Sequence, residues 1–297
     1  MLGDGALAQG LFHIPLGIGN GYMVRTRRGW YLIDTGTSGN AEKIIELAEQ
    51  HFGDEPPEAI LLTHGHFDHA GNAAELSDYW DAQVFTHELE LPFLTGKDKY
   101  PPPDPTVGGF MGLMIRMFPN KAYDLGDRVA EFPRNPLPGW DLVETPGHSP
   151  GHVSFFRSDD HTLIAGDAIA TVKQCSLVSM LTQEPAVWLP PEYYTCDWQS
   201  ARRSVEQLAS LQPDIIAAGH GKPMSGQEAL RQLEELSATW PAPHDGRYTD
   251  EPAVTDQDGI VSLPPKTFDA VATTFYSTAA VLGAAGVLAV VKKRRAA

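Results

Sequence analysis

Apolar positions in this chain fall into short strand-like runs interleaved with helical stretches. Residues 21–25 and 29–34 read as two strands turning through residues 26–28. Residues 41–51 set Ile44, Ile45, Leu47 and Ala48 on one helical face and stop near Gly53. The run 59–62 is short and wholly apolar, as a buried strand is. A short helix at 73–80 and a strand at 83–86 follow it. Strands recur at 140–144, 153–157, 162–165 and 214–218, and helices at 198–211 and 226–239. Strand pairs interleaved with helices predict an α/β (α+β) domain of two packed sheets with helices outside. The domain is expected over residues 1–245, followed by a linker at 246–269.

One internal stretch departs from this alternation. A proline-rich run at 100–105 leads into residues 108–118, where Phe110, Leu113, Met114, Met117 and Phe118 share a helical face. An insertion helix that buries the stripe in the core is expected. The alternative is the wall of a binding pocket, with adaptable side chains such as Met114 holding an apolar group.

The C-terminus has a character of its own. Residues 270–291 are 22 positions without a charge, and Lys292, Lys293, Arg294 and Arg295 follow within a basic tail at 292–297. A helix of that length spans a hydrocarbon core of about 30 Å, so a transmembrane or membrane-associated apolar helix is expected. Its many small residues leave a docking helix or a tail as the alternative. The first ten residues lack a basic stretch leading into an apolar one, so the body is expected in the cytoplasm, anchored at its C-terminus. The terminal basic cluster argues for the opposite sidedness. A shallow interfacial helix would reconcile the two, and the sequence leaves both open.

Charge narrows the partners. The net charge is −16 over 297 residues, and the terminal basic cluster offsets −20 elsewhere. A body that acidic repels phosphate backbones, so a nucleic-acid partner is not expected. The two cysteines, Cys175 and Cys196, form no C-x-x-C pair, so any metal chemistry must rest on histidine and carboxylate.

Such residues cluster directly after the apolar run at 59–62. Thr63-His64-Gly65-His66-Phe67-Asp68-His69 packs three imidazoles and a carboxylate into six positions. Two residues apart on extended backbone, His64 and His66 can converge on one metal ion. Asp68 and His69, one turn further on, can face a second. The pattern H-x-H-x-D-H resembles the signature of the metallo-β-lactamase superfamily. That resemblance requires three more ligands in fixed order. The chain offers His148 in Thr145-Pro146-Gly147-His148-Ser149-Pro150-Gly151-His152, Asp167 after the strand at 162–165, and His220 after that at 214–218.

The resemblance covers roughly residues 10–240 and implies a four-layered αββα sandwich. It assigns His64, His66 and His148 to one metal, Asp68, His69 and His220 to the other, and Asp167 to a bridge between them. Asp34, in Leu32-Ile33-Asp34-Thr35-Gly36, matches a position that supports the histidine loop. His152 is left over and reads as structural. Two divalent ions are implied; nitrogen and oxygen donors suit Zn2+ best, with iron, manganese or cobalt also compatible. Roughly 3.5–4 Å apart, two such ions share a hydroxide whose pKa falls towards 7 and polarise the group it attacks. Asp68 is the expected catalytic residue, its second oxygen free to take or return a proton. Segment 168–197 would overhang the metals, which makes Gln174, Tyr193 and Tyr194 candidates for substrate contact.

The phrase at 145–152 is similar to those of glyoxalase-II-like thioesterases and lactonases. Two departures weaken a closer assignment. Lys222 is the one basic residue soon after His220, where a glutathione thioesterase would cluster several. Ala168-Ile169-Ala170 stands where quorum-quenching lactonases carry a tyrosine. The expected function is hydrolysis of a small ester, lactone or thioester by a metal-bridging hydroxide. Two alternatives stay open: an iron-dependent redox enzyme of the persulfide dioxygenase or flavodiiron type, and a non-catalytic, membrane-associated metal-binding module.

Overall fold

The antiparallel pair expected around residues 26–28 is the centre of the first sheet in a computed structural model of the chain. Residues 6–117, 123–269 and 273–274 are described. The first sheet comprises β1 (Ala6–Ala8), β2 (Leu11–Leu16), β3 (Gly19–Arg25), β4 (Trp30–Ile33), β5 (Ala59–Leu61), β6 (Val84–Thr86) and β7 (Val129–Glu131), hydrogen-bonded in that order. Pairing is antiparallel from β1 to β4 and parallel from β4 to β7. The second sheet runs β12 (Met224–Ser225), β11 (Ile215–Ala218), β10 (Thr162–Gly166), β9 (Val153–Arg157), β8 (Asp141–Glu144), with β10 and β11 parallel.

Side-chain alternation along the strands sorts the interior into three layers. Tyr22, Val24, Ile33 and Leu61 of the first sheet meet Val153, Phe155, Ile164 and Ala217 of the second. Their neighbours Met23, Leu32 and Ile60 point the other way, onto Ile44 and Ala48 of α1 (Ala41–Phe52) and Leu76 of α3 (Ala73–Trp80). On the far side, Phe156, Leu163 and Ile216 pack against Val205 and Leu208 of α7 (Trp198–Ser210) and Leu233 and Leu236 of α8 (Gln227–Thr239). Helices therefore cover the outer face of each sheet. Among the described residues, four more short helices besides α3 lie between α1 and α7: α2 (Phe67–Ala70), α4 (Leu91–Leu94), α5 (Gly109–Met114) and α6 (Leu177–Thr182).

Three expectations need correction or limits. Residues 246–264 are not a linker. β13 (Val254–Asp256) and β14 (Gly259–Ser262) form a hairpin, and Tyr248, Ala253 and Leu263 join the α7–α8 core. Tyr248 donates its hydroxyl to Pro102 O at 2.8 Å, Arg247 N–H donates to Asp104, and Ala253 N–H donates to Cys196 O at 2.9 Å. These ties are made to remote segments and leave no local period to read. Chain contacts accordingly extend the compact unit to Pro264, with the remainder a second unit.

The stripe from Phe110 to Met117 is not core either. α5 ends after six residues and continues as a 3-10 turn, so Gly112 and Ile115 turn inward while Leu113 and Met117 are 51% and 75% exposed. Phe118 lies outside the described residues. Nearly all of the apolar segment at 270–291 lies outside them as well. Among the described residues no helix is long and apolar enough to cross a membrane.

Candidate metal centre

Parallel pairing places the C-terminal ends of β4 and β5 side by side, and those of β10 and β11 likewise. Asp34 follows β4, the histidine loop follows β5, Asp167 follows β10 and His220 lies two residues past β11. His148 lies in the connection from β8 to β9. The sheets are stitched together at this edge: Asn20 of β3 donates its amide to Ala218 O and Gly221 O, and Tyr22 donates its hydroxyl to Ala218 O. The one-turn helix α2 then swings Asp68 and His69 inward, with the His69 and Ala70 amides donating to His66 O.

Seven side chains anticipated from the motif are brought together and all are buried. His64, His66 and His148 form one group and Asp68, His69 and His220 another, with ligand atoms in each within 4.8 Å of one another. Asp167 lies between the groups. Its Oδ2 is 3.4 Å from His148 Nε2 and 4.0 Å from His64 Nε2 on one side. On the other it is 3.4 Å from His69 Nε2 and 3.0 Å from His220 Nε2. Donors about 2.0–2.1 Å from a tetrahedral ion stand about 3.3 Å apart. That is the spacing seen here, including 3.0 Å between His66 Nδ1 and His148 Nε2 and 3.5 Å between His220 Nε2 and Asp68 Oδ2.

The far ring nitrogens of His64, His69 and His220 are held by the protein, whereas that of His148, Nδ1, is buried without a hydrogen-bond partner. His69 Nδ1 donates to Asp34 Oδ2 at 2.8 Å, and His220 Nδ1 donates to Ile18 O at 2.8 Å. His64 Nδ1 donates to Thr63 Oγ1 at 3.1 Å, whose hydroxyl in turn donates to Asp34 Oδ2 at 2.7 Å. The opposite nitrogens, His64 Nε2 and His69 Nε2, are buried without a hydrogen-bond partner, as is Asp167 Oδ1. Buried lone pairs left unpaired are costly, and a cation between the groups would satisfy them. Four buried carboxylates surround this edge (Asp34, Asp68, Asp167 and Glu90), and among the described residues none is paired with a lysine or arginine. The residues present therefore fit a pair of divalent ions.

Burial opposes charge on His69, yet Asp167 and Asp34 outweigh it and hold the ring well above the usual histidine range. Burial is likewise outweighed at His220, raised by Asp167 and Asp68. Burial, reinforced by neighbouring histidines, pushes His64 well below that range and His66 down to about 3, and burial lowers His148 too. Asp68 is raised by burial, whereas His220 and His69 overcome burial to hold Asp167 well below the usual carboxylate range. The three-histidine group is thus biased towards the neutral form that binds metal, while His69 and His220 are biased towards the protonated form. Acidification should weaken metal binding at the Asp68 group first, with proton release measurable by calorimetry in buffers of differing ionisation enthalpy. Loss of the three-histidine group first would contradict this.

His152 bears out its structural reading. It accepts from Asp167 N–H at Nε2 (2.8 Å), so its proton sits on Nδ1 and donates to Thr145 Oγ1 at 2.8 Å. Thr145 passes the chain to Ser154 Oγ, which donates to Ala165 O. Burial pushes the imidazole down to about 3, as a neutral relay needs.

The expected substrate contacts are placed unevenly. Tyr194 is half-buried with its ring 4.6 Å from that of His66. Tyr193 and Gln174 are buried and bond to each other at 3.3 Å, which uses up the Tyr193 hydroxyl. Met114 is half-buried on α5, whose Phe110 amide donates to Cys175 O, next to Gln174. Sequence reasoning missed Tyr123, whose phenol burial and Asp68 push up to about 12. It also missed Thr63, Glu90 and the Ile18 carbonyl. No motif marks them, since each acts through a bond to a distant loop.

The profile of the metallo-beta-lactamase superfamily matches residues 14–220. The chain belongs to that superfamily. "Probable metallo-hydrolase YflN" of Bacillus subtilis is 37% identical over 239 residues, covering 77% of this chain and 90% of that protein. "Hydroxyacylglutathione hydrolase GloC" of Haemophilus influenzae is 28% identical over 140 residues, covering 46% of this chain and 60% of its own length. Among solved structures, TTHA1623 in a di-iron-bound form is 27% identical with a TM-score of 0.50, covering 77% of this chain and 96% of that one. The chain is a metallo-hydrolase of this superfamily.

Proposed function

We propose that this metallo-hydrolase opens a small ester, lactone or thioester and does so with two divalent ions. The meeting of two ligand groups on the single oxygen Asp167 Oδ2 carries this reading. Bound ions would supply a nucleophilic hydroxide at neutral pH and a Lewis acid for the developing oxyanion. The protein's share is placement. Asp167 would divide its charge between the two groups, and Asp34 would hold His64 and His69 in the tautomers that leave Nε2 free. Asp68, raised by burial, would hold and return the proton. Nitrogen and oxygen donors favour zinc in this reading, and the di-iron form of TTHA1623 keeps iron beside it.

An apolar substrate is favoured by the rim. Leu113 and Met117 on one segment and Leu177, Val178 and Leu181 of α6 on the other are large, apolar and exposed. The Phe110–Cys175 bond joins the segments, and Thr171, at the start of the α6 loop, donates twice to His220 O. An acyl chain would find an adaptable wall there. Metal-replete protein is expected to turn over apolar esters, lactones or thioesters faster than short polar ones. A preparation carrying its full metal complement and inert to all three classes would sink the substrate assignment.

A further inference from the structure

We infer that Glu90 is a positioning residue for the three-histidine group, its buried carboxylate clamping the loop of His64 and His66 to the loop of His148. The inference rests on the reading that this group binds a metal.

Glu90 has no exposed surface and ends a 3-10 turn at 88–90 that runs into α4. Its two oxygens face different loops. Oε2 accepts from the Gly65 amide at 3.0 Å and from the Tyr100 hydroxyl. Oε1 accepts from the Gly151 amide at 2.7 Å and from Ser149 Oγ at 2.8 Å. Gly65 separates His64 from His66, and Ser149 follows His148 directly. One carboxylate thus ties together the two loops that supply all three imidazoles.

The packing leaves little freedom around this tie. A Cβ on Gly65 would collide with Tyr100 Oη and with Leu94, and one on Gly151 would stand 3.0 Å from Glu90 Cγ. The Tyr100 ring lies 4.6 Å from that of His66, so the same cluster that holds the carboxylate also braces the imidazole. A carboxylate taken out of water is costly unless it is paired, and here four donors and no lysine or arginine attend it. A cation held by the adjoining histidines would be its electrostatic counterpart.

The arrangement discriminates between a carboxylate and its isosteric amide. Each oxygen of Glu90 accepts a backbone N–H, one from each loop. A glutamine there must oppose its NH2 to one of those amides whichever way it turns. Glu90→Gln should therefore displace one loop although side-chain volume is unchanged.

The test uses the full chain, stripped of metal and titrated with Zn2+ or Co2+ against a competing chelator. In Glu90→Gln one class of site is expected to weaken about 10–100-fold while the other is kept, with an altered Co2+ absorption spectrum. Leu76→Ala, a core truncation on α3 that removes none of the four hydrogen bonds to Glu90, should lower the melting temperature of the metal-free protein and leave both affinities unchanged. Wild-type affinity at both sites in Glu90→Gln would overturn the inference. So would equal weakening in Leu76→Ala, which would trace the effect to general destabilisation. If Glu90→Gln does not fold, Ser149→Ala and Tyr100→Phe each remove one donor and should each weaken one site several-fold. Wild-type binding in both would overturn the inference equally. A wild-type chain that took up no metal would instead sink the metal reading itself.

Discussion

Replacing Asp167 with alanine should abolish hydrolysis and reduce the metal content below one ion per chain. Among the described residues its Oδ2 is the one carboxylate oxygen within 4.0 Å of ring nitrogens from both groups, so no neighbour there can take its place. Removing it leaves His69 and His220 facing each other without the charge that outweighs their burial. Metal-assisted stabilisation of a transition state amounts to several kcal/mol. At 1.36 kcal/mol per factor of ten, a rate loss of about 10^3-fold or more is expected. The check is kcat together with metal analysis on the same preparation. Retention of two ions and of activity within tenfold would remove the bridge from the account.

Asp34→Asn should weaken metal binding about 10–100-fold while leaving the fold intact. Asp34 Oδ1 accepts the Thr63 amide, and Oδ2 accepts both Thr63 Oγ1–H and His69 Nδ1–H. An asparagine that keeps its oxygen towards the Thr63 amide turns its NH2 on His69 Nδ1. The imidazole must then carry its proton on Nε2, the nitrogen that a metal needs. Thr63 must also reverse its hydroxyl, which turns His64 the same way. One atom thus disarms both groups. Asp34 also sits in the left-handed region at φ 56°, a strained conformation that three hydrogen bonds to its carboxylate help to hold. Metal affinity and the ring 15N shifts of the metal-free variant test this. An unchanged tautomer at His64 would contradict it.

The legible and illegible parts of this chain separate on physical grounds. The run 59–62 declares itself because a strand buried on both faces is wholly apolar, and the observed strand Ala59–Leu61 is one residue shorter; the helix at 73–80 is observed with those bounds. His64 to His69 declare themselves because four metal-grade donors rarely crowd into six positions by chance. His148, Asp167 and His220 became visible through family resemblance, each near a strand end that the apolar pattern had already marked. Glu90, Thr63 and the Ile18 carbonyl carry no such mark. Their partners lie on other segments, as with Glu90 to Gly151 across 61 positions and His220 to Ile18 across 202. Residues 246–264 read as a linker in the sequence for the same reason. Their anchors at Pro102, Asp104 and Cys196 are side-chain and backbone bonds, which impose no period. The stripe from Phe110 to Met117 misled in the other direction. Its helical spacing is real, but α5 stops after six residues and Leu113 and Met117 face outward.

The central claim is that two ligand groups share Asp167 to hold two ions. Metal content measured on purified, metal-replete protein, with anomalous scattering from its crystals, tests it most directly. Two ions per chain are expected, one among His64, His66 and His148, the other among Asp68, His69 and His220, with Asp167 touching both. A single ion, or a second ion seated elsewhere with Asp167 touching neither, would contradict the account.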